Sequence, residues 1–111
     1  MQNETRAKRA QMSAYFVINL KVTNPSKVEQ YSDEVASLVE EFGGRYLVRG
    51  GNYDVLEGKW DADRVVVVEF PSFEAVKSFH ASGRYAYLHK ICTEGAVSSA
   101  IAIEGVSPLY A

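Results

Sequence analysis

GGRYLVRGG (Gly43–Gly51), VLEGKW (Val55–Trp60) and RVVVVEFPSF (Arg64–Phe73) form the stretch that decides the fold of this chain. Gly43-Gly44 reads as a helix terminus, because glycine enters the left-handed conformation at little cost. The residues after it read as strand. Arg45 to Glu57 is extended but interrupted by Gly50-Gly51-Asn52, which is either a tight hairpin turn or a bulge in one long strand. Arg64 to Phe70 is β-branched almost throughout, the mark of a strand buried on both faces. Two charges stand out in these apolar runs. Arg49 follows Tyr46-Leu47-Val48, and Glu69 follows four valines. A buried charge is costly unless paired or neutralised, so both positions point to a site.

Working outward, Tyr15 to Val22 alternates as a strand, with Phe16, Ile18, Leu20 and Val22 on one face and Tyr15, Val17, Asn19 and Lys21 on the other. Asn24-Pro25 opens a helix, asparagine as N-cap and proline in the first turn. Val28, Tyr31, Val35, Leu38, Val39 and Phe42 recur at helical spacing as its buried stripe. Pro71-Ser72 starts a second helix with Ser72 as cap and Glu74 in the first turn, and Phe73, Val76, Phe79 and His80 are placed toward the core. Ser82-Gly83 breaks that helix, and a further helical piece is predicted from Arg84 to about Cys92. Ser98 to Val106 is the last strand. The order is βαββαβ, an α+β, ferredoxin-like split βαβ fold: a four-stranded antiparallel sheet with two helices on one face.

The sheet's second face carries the functional consequence. With Phe16, Ile18, Leu20, Val66, Val68, Phe70, Ile101 and Ile103 assigned to the helices, Tyr15, Val17, Val65, Val67, Ala100 and Ala102 lie opposite. That face is too apolar to leave in water and calls for a cover. A second copy of the sheet is the simplest one, which gives a two-fold homodimer pairing into a dimeric α+β barrel. Asn19, Glu69 and Glu104 share this face by parity, and Arg49 joins them if the glycines shift the register by one residue. Such a cavity, apolar with few polar groups, suits a small organic ligand.

Composition narrows the classes. The chain of 111 residues has a formal charge of −2, against the clustered basic excess of a nucleic-acid surface. Arg6, Lys8 and Arg9 stand against Glu4 in the first eleven residues, leaving nine basic and thirteen acidic residues in the remainder, net −4. Residues 1–12 are expected to be a disordered extension and 13–108 a single domain. The single Cys92 fits a reducing cytoplasm, and no apolar run approaches a membrane span, so neither membrane nor nucleic acid is an expected partner.

RYLVRGG, VLEGKW, RVVVVEFPSFEAVKSFHASGRY and IAIEGV, in that order, resemble the domain-of-unknown-function 1330 family within the ferredoxin-like dimeric α+β barrel superfamily. The resemblance runs from Met12 to Val106. It implies a dimer whose sheets pack into a barrel, similar in fold to small monooxygenases, stress-responsive barrel proteins and muconolactone isomerases. Ser82-Gly83-Arg84-Tyr85 and the Tyr87-Leu88-His89-Lys90 that follows depart from the usual pattern.

Arg49, Glu69 and His80 are the candidate catalytic residues, and Asn19, Arg49, Glu57, Trp60 and Tyr85 the candidate ligand contacts. Arg49 binds a carboxylate or enolate bidentately, or else pairs with Glu57 or Glu69 and holds the turn. Glu69 serves as a general base with a pKa raised by burial, or as half of an ion pair. His80 works as acid or base at the cavity mouth, or is a satisfied helix-face histidine. Trp60 packs over an edge or stacks on a ligand, Tyr85 packs with its hydroxyl at the surface, and Cys92 is a small apolar residue. No HExxH, CxxC or phosphate-cradling glycine motif is present, so no cofactor and no metal are predicted. Two classes follow: a cofactor-independent oxygenase- or isomerase-like enzyme, or a non-catalytic dimeric binding or stress-associated module.

Overall fold

The computed structural model describes residues 12–106. Its order is β1 (Ala14–Val22), α1 (Pro25–Glu41), β2 (Arg45–Arg49), β3 (Arg64–Phe70), α2 (Phe73–Ala81), α3 (Gly83–Gly95) and β4 (Ala96–Glu104). The strands form one antiparallel sheet in the order β2-β3-β1-β4. This is the predicted ferredoxin-like arrangement. The helical piece foreseen after Gly83 is a full third helix, and it runs directly into β4. All but the last residue of the expected 1–12 extension fall outside the described residues.

Local sequence sets the helix ends. Pro25 opens α1, but Asn24 makes no side-chain capping bond; its Oδ1 accepts from the Ser26 hydroxyl instead. Gly43 beyond α1 has φ +81°, the conformation the sequence reserved for glycine. Ser72 accepts from the Ala75 N–H at 3.1 Å, as its capping role required. Ser82 ends α2 and also caps α3 by accepting from Tyr85 N–H, so one serine makes the corner between two helices.

The helices cover one sheet face. Ala14, Phe16, Ile18 and Leu20 of β1 and Val68 and Phe70 of β3 meet Val28, Val35, Leu38 and Val39 of α1, Val76 and Phe79 of α2, and Leu88, Ile91 and Cys92 of α3. Phe79 is the hub of this layer. Its ring centroid lies 5.0 Å from those of Phe70 and Tyr85 and 5.4 Å from that of Phe16, bridging β1, β3, α2 and α3.

Tyr31 and Tyr85 join α1 to α3 through a buried hydrogen bond between their hydroxyls at 2.9 Å. Burial pushes both phenols up, that of Tyr85 to about 12 and that of Tyr31 further. The fold therefore favours the neutral phenols. Stability is complete below the unfolded tyrosine pKa near 10 and falls as pH rises above it, by about 1.4 kcal/mol per pH unit for each tyrosine. For Tyr85 the loss levels off near pH 12. Urea midpoints measured from pH 8 to 12 are expected to drop steeply above pH 10, and Tyr31→Phe with Tyr85→Phe to flatten that drop. An equal slope in the double variant would refute the assignment.

Register corrects one strand assignment. Val17 pairs with Ile101 and Tyr15 with Ile103, so Ile101 and Ile103 lie on the open face, while Ala100, Ala102 and Glu104 lie on the helix side. The predicted parity of β4 was the reverse. Alanines fit the helix side because α2 passes close to this edge strand, where Lys77 and His80 stand beside Ala100 and Ala102. The open face becomes more apolar for it: Tyr15, Val17, Val65, Val67, Val97, Ile101 and Ile103, with Ile101 still 57% exposed.

Candidate ligand cavity on the open sheet face

β2 ends at Arg49, and the chain from Gly50 to Asp63 crosses to β3 without a regular strand. The predicted extension of β2 to Glu57 is therefore an arm. Both its ends are tied down. Gly50, at φ +74°, donates its N–H to Val65 O at 3.0 Å. At the other end Asp63 Oδ2 accepts from Val22 N–H at 2.7 Å, and Asp61 pairs with Lys21 at 2.6 Å. The Tyr53 hydroxyl donates to Ala62 O and closes the arm on itself.

Between arm and sheet lies a half-open cavity of about 500 Å³. Its floor is Val48, Val65 and Val67, and its walls include Tyr53, Val55, Leu56 and Trp60. Asn52, Asp54 and Glu57 supply the polar and charged side chains. Leu56, at the tip, is 90% exposed.

The residues singled out from sequence divide among several places. Glu57 and Trp60 line the cavity. Asn19 stands on the same face beside Val65, its ladder partner, and its Oδ1 is buried without a hydrogen-bond partner. Arg49 does not join them. A bulge between Tyr46 and Val48 turns it to the helix side opposite Val66, where Nη2 donates to Ser32 O of α1 at 2.9 Å and the guanidinium lies 4.4 Å from the Tyr46 ring centroid. Burial raises the Tyr46 phenol pKa, partly offset by the Arg49 charge. The space behind this pair measures about 20 Å³, room for one water and no ligand.

Glu69 keeps its predicted face, but its partner is Arg45, at 2.7 Å, rather than Arg49. The Arg45 hydrogen bond, assisted by Ser13 and Tyr15, holds its carboxyl below the usual glutamate range. The pKa raised by burial is thus reversed: a carboxylate held by a guanidinium stays charged. His80 is exposed on α2, in a shallow groove with Lys77, Val76 and the β4 alanines, on the other side of the sheet from the cavity. Tyr85 is a core residue, 2% exposed, bonded to Tyr31 and not to solvent or ligand. Cys92 is fully buried, and burial pushes its thiol up. Among the described residues no group of three or more His, Cys, Asp or Glu is placed to hold a metal ion, and no helix is long and apolar enough to cross a membrane.

Sequence reading missed Tyr53 and Asp54. The available signal was the connection itself, far longer than the usual four to six residues and still rich in large apolar side chains.

The family model described as Domain of unknown function (DUF1330) matches residues 13–106. The chain belongs to this family. No curated protein matches it. The DUF1330 chain is similar in structure to RPA0582, a protein of unknown function from Rhodopseudomonas palustris, with a TM-score of 0.70 and 18% identity over 97% of this chain and 95% of that one. It is similar to SnoaB, a cofactor-independent oxygenase from Streptomyces nogalater, with a TM-score of 0.59 and 15% identity over 88% and 97% of the two chains. A dimeric ferredoxin-like protein of unknown function from Bacteroides fragilis has a TM-score of 0.57 and 12% identity over 84% and 96%. At these identities the likeness concerns the fold.

Proposed function

We propose that this DUF1330 protein is a homodimeric binding protein for a small, largely apolar molecule. Two copies pair through their open sheet faces and close the cavity that each arm forms over β2 and β3. The cavity itself carries this reading. Its volume of about 500 Å³ falls within the range of roughly 300–1,000 Å³ of small-molecule sites, and its apolar floor with a few polar groups has their usual composition. The dimeric ferredoxin-like neighbour supports the pairing. Binding is favoured over turnover because the acid–base candidates do not converge: Arg49 faces α1, His80 lies beyond the helix-side edge, and Glu69 is held charged by Arg45.

The chain has a single tryptophan, Trp60, and it lines the cavity, so its fluorescence reports occupancy. Titration with 2-phenylethanol is expected to change Trp60 emission saturably. Val65→Phe, which fills the floor, is expected to weaken that binding at least tenfold. An emission unchanged up to millimolar probe, or equal affinity in the filled variant, would overturn the proposal.

A further inference from the structure

We infer that the arm cavity is an organic-cation site, selecting an apolar molecule with an ammonium group over neutral or anionic molecules of the same shape, which presupposes the small-molecule reading above. The charged side chains lining the cavity are both acids, Asp54 and Glu57, and among the described residues neither is ion-paired with a base. Two aromatic rings, Tyr53 and Trp60, line the same space. Tyr53 is anchored through its hydroxyl to Ala62 O, which leaves its ring as the part offered to a ligand. Aromatic faces beside carboxylates, over an apolar floor, attract a cation through both the ring quadrupole and the full charges.

Among the described residues no base lines the cavity: Lys59, exposed on the arm between Glu57 and Trp60, is not among its lining residues, and the bases of the neighbouring strands are held or turned elsewhere. Arg45 is held by Glu69 and Lys21 by Asp61, while Arg49 donates to Ser32 O across the sheet. Arg64 pairs in register with Leu20 and so points to the helix side. Asn19 adds an independent observation. Its buried Oδ1 lacks a hydrogen-bond partner on the same sheet face beside Val65 of the floor, although Asn19 itself does not line the cavity. An ammonium brings three donors and no acceptor, and it matches the two carboxylates of the lining. A carboxylate or phosphate would meet like charge in a site being stripped of water.

Three probes with one apolar body test this: 2-phenylethylamine, 2-phenylethanol and phenylacetate, each titrated against Trp60 fluorescence in the full chain. The amine is expected to bind at least tenfold more tightly than the alcohol, and phenylacetate more weakly than both. Asp54→Asn with Glu57→Gln, conservative changes on an exposed arm, are expected to abolish the preference, with amine and alcohol binding the double variant within about twofold of each other. Equal binding of alcohol and amine, preference for phenylacetate, or an amine preference that survives the double variant would overturn the cation assignment alone. Failure of all three probes would overturn it together with the small-molecule reading.

Discussion

Val17→Arg is expected to turn the proposed dimer into monomers. Val17 sits mid-strand on β1, with Val67 of β3 and Ile101 of β4 as its ladder partners on either side. Tyr15, Val65, Val97 and Ile103 extend this apolar surface around it. A guanidinium at that point would be buried against valines and isoleucines with no carboxylate in register, since Glu69 at the sheet's end is already held by Arg45. Burying an unpaired charge costs several kcal/mol, and two-fold symmetry applies the cost twice. The dimer dissociation constant should therefore rise by a factor on the order of a thousand or more, each factor of ten being about 1.4 kcal/mol. Light scattering at micromolar concentration reads the mass, and far-ultraviolet circular dichroism checks that the monomer is folded. Lys77→Glu, on the helix side of β4, is the matched control and should leave the mass unchanged. A wild-type monomer at that concentration, or a Val17→Arg dimer, would end the paired-sheet proposal.

What the sequence could and could not reveal follows from the physics of each element. β1 was legible in full because Phe16, Ile18 and Leu20 alternate with Tyr15, Asn19 and Lys21, and a strand's period of two fixes which residues share a face. β4 shows the limit of the same rule. Ala100-Ile101-Ala102-Ile103 is apolar on both sides, so alternation gives the grouping but not its sign; that depends on register against β1 and on how closely α2 approaches. Arg49 was misplaced for a related reason. Gly50-Gly51 marked the expected irregularity, but the bulge falls at Tyr46–Val48, around Leu47, whose side chain carries no turn chemistry. Glu69 is in an ion pair, one of the alternatives read from sequence, but with Arg45, which faces it directly in register and was not weighed, rather than with Arg49. The cavity was half visible. Val65 and Val67 were placed on its face and Trp60 and Glu57 beside it, whereas Tyr53 and Asp54 lay without a role in the extended segment Arg45–Glu57 until the arm's closure brought them over the sheet.

Phe79→Ala is expected to be the most destabilising single change on the opposite side of the sheet. Phe79 has no exposed surface, and it packs on Phe16, Phe42, Phe70 and Tyr85 at centroid separations between 5.0 and 6.1 Å. Removing a buried phenylalanine ring typically costs about 3–5 kcal/mol, transfer and cavity together. A domain of this size holds roughly 5–15 kcal/mol in all, so a large share of its stability would go. Urea denaturation is expected to show the midpoint falling by more than 1 M with the slope unchanged, given a slope of about 1–3 kcal/mol per molar urea. A loss under about 1 kcal/mol would mean that the aromatic hub is not what joins α2 and α3 to the sheet. The location of the loss matters as much as its size. Phe79 and the cavity floor lie on opposite faces of one sheet, because Val68 and Phe70 point to the helices while Val65 and Val67 point away. Below its unfolding transition, Phe79→Ala should bind 2-phenylethylamine within about twofold of wild type, whereas Asp54→Asn with Glu57→Gln should change binding and leave the urea midpoint in place. That double dissociation would separate the helix-side face that holds the fold from the open face that holds the ligand.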